Sequence, residues 1–197
     1  MKKSYLVLLA GAVALSITAC QPKKAENTDG TQAPTEVSTE AVTESETQAD
    51  VDLNELLDQV KEAYGEAYIP SMDFDKQAMN DLFGISEDLY EEYIAQGPMI
   101  SVHVDTFVAV KAAEGKADAV EEALTAYRDK QINETMQYPM NLPKVSASEV
   151  VRHGDYVFFV MLGTPDEEAE LKGEEEALKS AKENNKIALD VIDGFFQ

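Results

Sequence analysis

The stretch that decides the fold is Tyr156-Val157-Phe158-Phe159-Val160-Met161-Leu162, in which every side chain is apolar or aromatic. A strand with one solvated face alternates apolar and polar residues, so a run that is apolar on both faces predicts a central strand covered on both sides. Just upstream, residues 145–152 form a second β pattern. The His153-Gly154 pair between the two runs predicts the turn of a hairpin.

A third β pattern lies at residues 101–110, where valines recur at alternate positions and predict one buried face: Val102, Val104, Val108 and Val110. Helical patterns surround the three strands. We therefore predict an α+β fold in which a small, mainly antiparallel three-stranded sheet packs against helices. The strand at 156–162 is expected in the middle, and residues 51–197 have the length of a single domain.

Helix signals define the other elements. Apolar spacing and capping residues predict helices at 53–64, 75–83, 86–95 and 118–135. Ser86 is expected to cap the third of these, and Thr164 with Pro165 is expected to open a last helix that Gly173 divides. The two prolines of residues 138–143 predict an ordered loop.

The first twenty residues have the layout of an export signal. Lys2 and Lys3 supply positive charge, Tyr5–Leu15 is an apolar run of eleven residues, and small residues precede Cys20, the only cysteine of the chain. The run is too short to cross a membrane, so residues 1–19 are predicted to be a signal peptide.

The end of this signal resembles the lipobox of bacterial lipoproteins. The resemblance implies cleavage before Cys20 and a diacylglyceryl group on its thiol, which would hold the protein on the extracytoplasmic face of the cell membrane. Two acyl chains are sufficient for stable anchoring. The alternative is a signal peptidase that cuts nearby and leaves Cys20 as a free thiol.

Residues 20–50 are predicted to form a disordered acidic tether, because Thr, Ser, Glu, Gln and Ala dominate its composition. The formal net charge of the whole chain is −22, and without residues 1–19 it is −24, from 14 basic and 38 acidic side chains. Such charge repels nucleic acid and favours a cationic ligand or a basic partner. Solubility alone is the simpler explanation of the same charge.

Residue types with catalytic or metal-binding chemistry are sparse. The sequence contains no Gly-x-Ser-x-Gly, His-Glu-x-x-His or Cys-x-x-Cys motif. His103 and Asp105 are expected on the less buried face of the first strand, where they could form a general base with its orienting group, half of a metal site, or an ordinary polar pair. Asp73-Phe74-Asp75 begins like a calcium loop, but Ala78 stands where an EF-hand needs glycine. We predict no catalytic residue, no metal site and no cofactor.

The proline-rich loop is the best candidate for a recognition surface, through Tyr138, Met140, Asn141 and Lys144. The alternative is that Tyr138 and Met140 pin the loop to the core.

Four segments together resemble an uncharacterised family of lipoproteins from Clostridia and related Gram-positive bacteria, which carries a domain-of-unknown-function label. The resemblance extends over residues 51–165, with the lipobox. It rests on these runs: Ala63-Tyr64-Gly65 with Tyr68-Ile69-Pro70, Pro98-Met99-Ile100-Ser101, Tyr138-Pro139-Met140-Asn141-Leu142-Pro143-Lys144-Val145, and Tyr156-Val157-Phe158-Phe159-Val160-Met161-Leu162-Gly163. It implies compartment and fold, and it brings no catalytic residues.

These observations predict a lipid-anchored extracytoplasmic protein that is not an enzyme and whose domain is a binding or interaction module. Its expected contacts are the membrane, through the lipid, and an envelope protein or a cationic ligand. Two alternatives stay open: a small-ligand or divalent-cation binding protein of the envelope, and a cell-wall hydrolase.

Overall fold

The computed structural model describes residues 50–133, 136–164 and 166–197. The predicted signal peptide, the lipid site at Cys20 and the tether as far as residue 49 lie outside the described residues. So does Pro165, the expected first residue of the last helix.

The described chain is α+β, and its sheet has five strands where the sequence predicted three. The strands are β1 Met72–Asp73, β2 Tyr90–Gly97, β3 Thr106–Ala112, β4 Glu149–His153 and β5 Tyr156–Met161. The helices are α1 Leu53–Tyr64, α2 Lys76–Phe83, α3 Ala117–Asn133, α4 Leu142–Ala147, α5 Glu167–Lys172 and α6 Glu174–Phe195. Short 3₁₀ turns lie at Gly65–Ala67, Glu87–Leu89 and Pro139–Asn141.

The strand order is β1-β2-β3-β5-β4, and every neighbouring pair is antiparallel. The predicted central position of β5 between the other two predicted strands is confirmed. The side chains of β5 alternate between two hydrophobic cores. Phe158 and Val160 pack in the core with α1 and α6, while Val157 and Phe159 pack in the core with α2 and α3. The sheet is therefore covered by helices on both sides, as the apolar run required.

The predicted helix at 86–95 is wrong. The hydroxyl of Ser86 donates to the carboxylate of Asp88 instead of capping a helix, and the chain from Tyr90 to Gly97 is β2. Because β3 is buried on both faces, it needs a paired strand at each edge, and β2 supplies one of them. Long-range pairing has overridden the local capping signal.

Strand β3 begins at Thr106, five residues later than the sequence predicted. Residues 98–105 form a connecting segment in which the His103 N–H donates to the Ile100 carbonyl at 3.1 Å. Likewise, residues 142–147 form α4, so the predicted strand at 145–152 is shortened to β4. Pro143 suits the first turn of α4 because the N–H that it lacks has no partner in a helix at that point.

The last helical region is divided at Gly173, as predicted, but its N-cap is Asp166 and not Thr164. The Asp166 carboxylate accepts from the Glu168 N–H at 2.6 Å. An ionised cap is favoured at the positive end of a helix.

The described chain begins at one end of the sheet. The Asp50 carboxylate lies 2.9 Å from Lys111 Nζ and accepts from the Tyr156 hydroxyl, which in turn accepts from the Val51 N–H. These contacts lie where β3 ends and β5 begins. Within the described residues, no helix combines the length and the apolar character that a membrane crossing requires.

Candidate interaction surface

Two chain segments meet at the opposite end of the sheet, where β3 begins and β5 ends. One is residues 98–105, between β2 and β3, and the other is residues 136–147, which lead into β4. The Asn141 amide donates to the Val102 carbonyl at 2.9 Å. The Lys144 ammonium donates to Asp105 Oδ2 at 2.7 Å. Side chains of the second segment therefore hold the first in place.

The Lys144–Asp105 contact is a buried ion pair. Asp105 is fully buried and Lys144 is 5% exposed. The second carboxylate oxygen, Asp105 Oδ1, is buried and has no hydrogen-bond partner among the described residues. Removing either charge from such a pair leaves the other buried and uncompensated, so both segments depend on this contact.

Further hydrogen bonds tie the second segment to the rest of the fold. Buried Asn185 of α6 donates to the Ala147 carbonyl at 2.7 Å and accepts from the Leu162 N–H at 2.8 Å. Arg128 of α3 donates to the Ser148 carbonyl at 2.6 Å. The segment is thus bonded to α6 at Ala147, and the residue that follows it, Ser148, is bonded to α3, which makes it a preorganised surface.

The outward side of these two segments is mostly apolar, with Ser101 and His103 also exposed on it. We call it the apolar surface, and its exposed apolar members are Met99, Ile100, Val102, Met136, Tyr138, Met140 and Leu142. Met136 is 98% exposed and Met99 is 74% exposed. Neither residues 98–104 nor residues 136–143 contain Asp, Glu, Lys or Arg, although 27% of the chain is charged. A cluster of exposed apolar side chains without charge indicates a contact surface.

The four residues of the predicted interaction loop divide between its two sides. Tyr138 and Met140 are 59% and 60% exposed, so they do not pin the loop to the core. Asn141 and Lys144 point inward and hold the adjoining segment. The sequence analysis missed Met99 and Ile100, whose signal was a pair of apolar residues directly after a Gly-Pro break.

The expected placement of His103 and Asp105 together on one face of a strand is wrong. Neither residue lies in a strand; His103 is exposed, whereas Asp105 is fully buried and its carboxylate contacts Lys144. Burial raises the pKa of Tyr64 above its ordinary value, and the negative charge of Asp105 raises it further. The Tyr64 hydroxyl therefore stays neutral and donates to the Asn184 carbonyl.

Other polar clusters have structural partners. Asp75 caps α2 by accepting from the Ala78 N–H, and Asp73 accepts from Gln96. Among the described residues, no cluster of three or more His, Cys, Asp and Glu side chains has the arrangement of a metal site.

An open groove of about 470 Å³ runs between α1 and β2, lined in part by Asp58, Lys61 and Asp73. Its lining includes the buried Gln96, whose amide oxygen accepts from the Tyr68 hydroxyl while its amide nitrogen donates to Asp73. Both ends of the Gln96 amide thus have partners within the protein.

A family model described as "Domain of unknown function (DUF4358)" matches residues 63–162. Nothing among the curated proteins and nothing among the solved structures matches the chain. The matched range runs from the end of α1 to the residue after β5. It therefore includes both segments of the apolar surface.

Proposed function

The chain belongs to the DUF4358 family of domains of unknown function, and from that premise we propose that it is a lipid-anchored extracytoplasmic protein whose domain binds a protein partner and performs no catalysis. Fold membership carries no activity with it, so the proposal rests on the surface that this chain presents.

The anchor is supported by the sequence before the domain. A positive start, a short apolar run and small residues ahead of Cys20 resemble a lipoprotein signal, and this resemblance supports Cys20 as the lipid attachment site. The described chain begins at Asp50, on the end of the sheet marked by Lys111 and Tyr156. The apolar surface is at the other end, one strand length away, or about 20 Å. A tether attached at Asp50 leaves that surface accessible to a partner.

The apolar surface is the single observation that carries the binding role. Cores of protein interfaces are enriched in Met and Tyr and depleted of charged residues, and this surface has both properties. The hydrogen bonds of Asn141 and the buried ion pair of Lys144 fix its backbone before binding. A fixed surface loses little conformational entropy on association, which favours affinity.

Site-specific photo-crosslinking tests the proposal directly. A benzophenone amino acid replaces Tyr138 on the apolar surface, or Leu82 on α2 as a control that is 51% exposed. In cells that produce the lipidated chain, we expect a discrete crosslinked product from position 138 alone. Ile100→Ser should abolish it, because Ile100 belongs to the same surface and serine leaves the charge unchanged.

Equal products from positions 138 and 82, or a product from position 138 that Ile100→Ser leaves intact, would remove the binding role from this surface. The same cells test the anchor. Cys20→Ser should move the protein from the membrane fraction to the medium, and retention of the variant in the membrane would contradict lipid attachment at Cys20.

A further inference from the structure

We propose, resting on the binding role above, that the partner presents an amphipathic helix to the apolar surface, with an apolar stripe flanked by lysine or arginine. Two features of the described residues lead to this class of ligand: the charges around the surface and the side chains within it.

The rim of the apolar surface is acidic. Asp73 of β1 pairs with Gln96 beside the end of β2, and Glu149 begins β4 opposite the end of β5, so a carboxylate flanks the surface at each edge strand of the sheet. The one cation of the two surface segments, Lys144, is buried in its ion pair. A partner that covers the uncharged centre therefore meets carboxylates at its edge, and basic flanks complement them.

The side chains of the surface suit a helical apolar stripe. Three of its seven exposed apolar members are methionines: Met99, Met136 and Met140. Methionine is unbranched and polarisable, so a surface rich in it adapts to the irregular ridge that a helix presents. Amphipathic helices bind apolar surfaces through side chains spaced three and four residues apart.

Two other occupants fit less well. A second copy of this chain would bring its own acidic rim against the first, and each chain carries a formal net charge of −22. A bilayer with anionic headgroups meets the same repulsion.

The partner chemistry can be tested with a synthetic helix. Residues 50–197 contain every member of both apolar clusters and the whole sheet, so they carry their own core and can be studied alone once cooperative unfolding is verified. The probe is a fluorescent amphipathic peptide of leucine and lysine, about 18 residues or five helical turns long. A peptide of the same composition, scrambled to destroy the apolar stripe, and a leucine–glutamate peptide serve as ligand controls.

Fluorescence anisotropy should show saturable binding of the leucine–lysine helix alone. Met140→Ser should weaken that binding by about tenfold, which is a typical loss for one buried anchor. Leu82→Ser, a matched exposed residue on α2, should leave the affinity within about twofold. Higher salt should weaken binding, because exposed charge pairs are screened.

If the scrambled peptide bound equally well, or if Met140→Ser did not weaken binding of the leucine–lysine helix, the binding would be a general attraction between a basic peptide and an acidic domain. Either result would overturn the proposal. Equal binding of the leucine–glutamate helix would overturn the charge argument. Binding to vesicles of neutral and anionic lipid, or self-association in sedimentation that Met140→Ser abolishes, would assign the surface to lipid or to a second copy. Crosslinking at Tyr138 is independent of the peptide, so a positive crosslink with a negative titration refutes the helix and keeps the binding role.

Discussion

Replacing Lys144 with methionine tests whether the buried ion pair supports the apolar surface. Methionine keeps most of the aliphatic volume of lysine and removes its charge. The Asp105 carboxylate would then be fully buried without its cation, and its Oδ1 atom already has no hydrogen-bond partner among the described residues. Breaking a buried pair on one side costs about 3–5 kcal/mol. For a domain of about 150 residues, this corresponds to a fall in the melting temperature of roughly 10–20 °C.

Urea unfolding followed by circular dichroism measures this loss. Lys76→Met is the matched control, because Lys76 and Glu87 form an ion pair at 2.6 Å with side chains 64% and 65% exposed. Exposed pairs contribute about 0–1 kcal/mol, so the control should lose little stability.

The double variant Lys144→Met with Asp105→Asn separates the uncompensated charge from the lost contact. Asparagine is neutral, so the double variant should be more stable than Lys144→Met by about 2 kcal/mol, even with a buried amide that lacks a partner. A loss below about 1 kcal/mol in Lys144→Met would refute the reasoning. So would a double variant that is destabilised by the sum of the two single changes.

Two further predictions concern the α6 side of the same end. Gly163 has φ +84°, and a Cβ there would lie 2.7 Å from Asn184 Cβ, so Gly163→Ala should lower the free energy of unfolding in urea by about 2–4 kcal/mol. Gly115→Ala is the control, with φ +71° and open space, and it should lower that free energy by only about 1 kcal/mol. Equal losses in the two variants would contradict the clash with Asn184. Because the pKa of Tyr64 is raised, its hydroxyl keeps its proton in the folded state, and the free energy of unfolding should fall with pH above about pH 10, where the unfolded tyrosine ionises. Tyr64→Phe should reduce the slope of this free energy against pH by about 1.4 kcal/mol per pH unit. An unchanged slope would disprove the linkage.

The features that sequence predicted well are those whose signal is local. The helix predicted at 75–83 is α2, with Asp75 as its N-cap and Gly84 in the left-handed region at φ 72° directly after it. The hairpin of β4 and β5 was also expected, although its turn is Gly154-Asp155 and not His153-Gly154. Each of these depends on a few neighbouring residues and their backbone preferences.

The errors arose where distant parts of the chain compete for a segment. Residues 86–95 carry a helix-capping pattern, yet they pair with β3, because a strand buried on both faces requires two partners. The valines at 102 and 104 alternate like a strand, yet they precede β3 and belong to the segment held by Asn141. No local pattern reports which edge of a sheet needs a partner.

The candidate surface shows the same division. The sequence offered the loop of Tyr138 and Met140 as a candidate surface, with packing against the core as the alternative, and it gave the same role to Asn141 and Lys144. In the structure, Asn141 and Lys144 point inward, because the Asn141 amide donates to the Val102 carbonyl and the Lys144 ammonium donates to the Asp105 carboxylate across the end of the sheet. The side chains of Tyr138 and Met140 have no such partner among the described residues and are exposed.

The sequence by itself determined the doubly covered central strand, the division of the last helical region at Gly173 and the acidic charge. These follow from periodicity, backbone preference and composition, which are properties of neighbouring residues. Only the tertiary structure decided the five-stranded order, the burial of Lys144 with Asp105 and the assembly of residues 98–104 and 136–143 into one apolar surface. Both contacts that assemble it join residues 39 positions apart. Contacts at such separation become favourable only when the whole sheet and both helical layers form together, since that cooperative folding offsets the entropy of closing so long a loop.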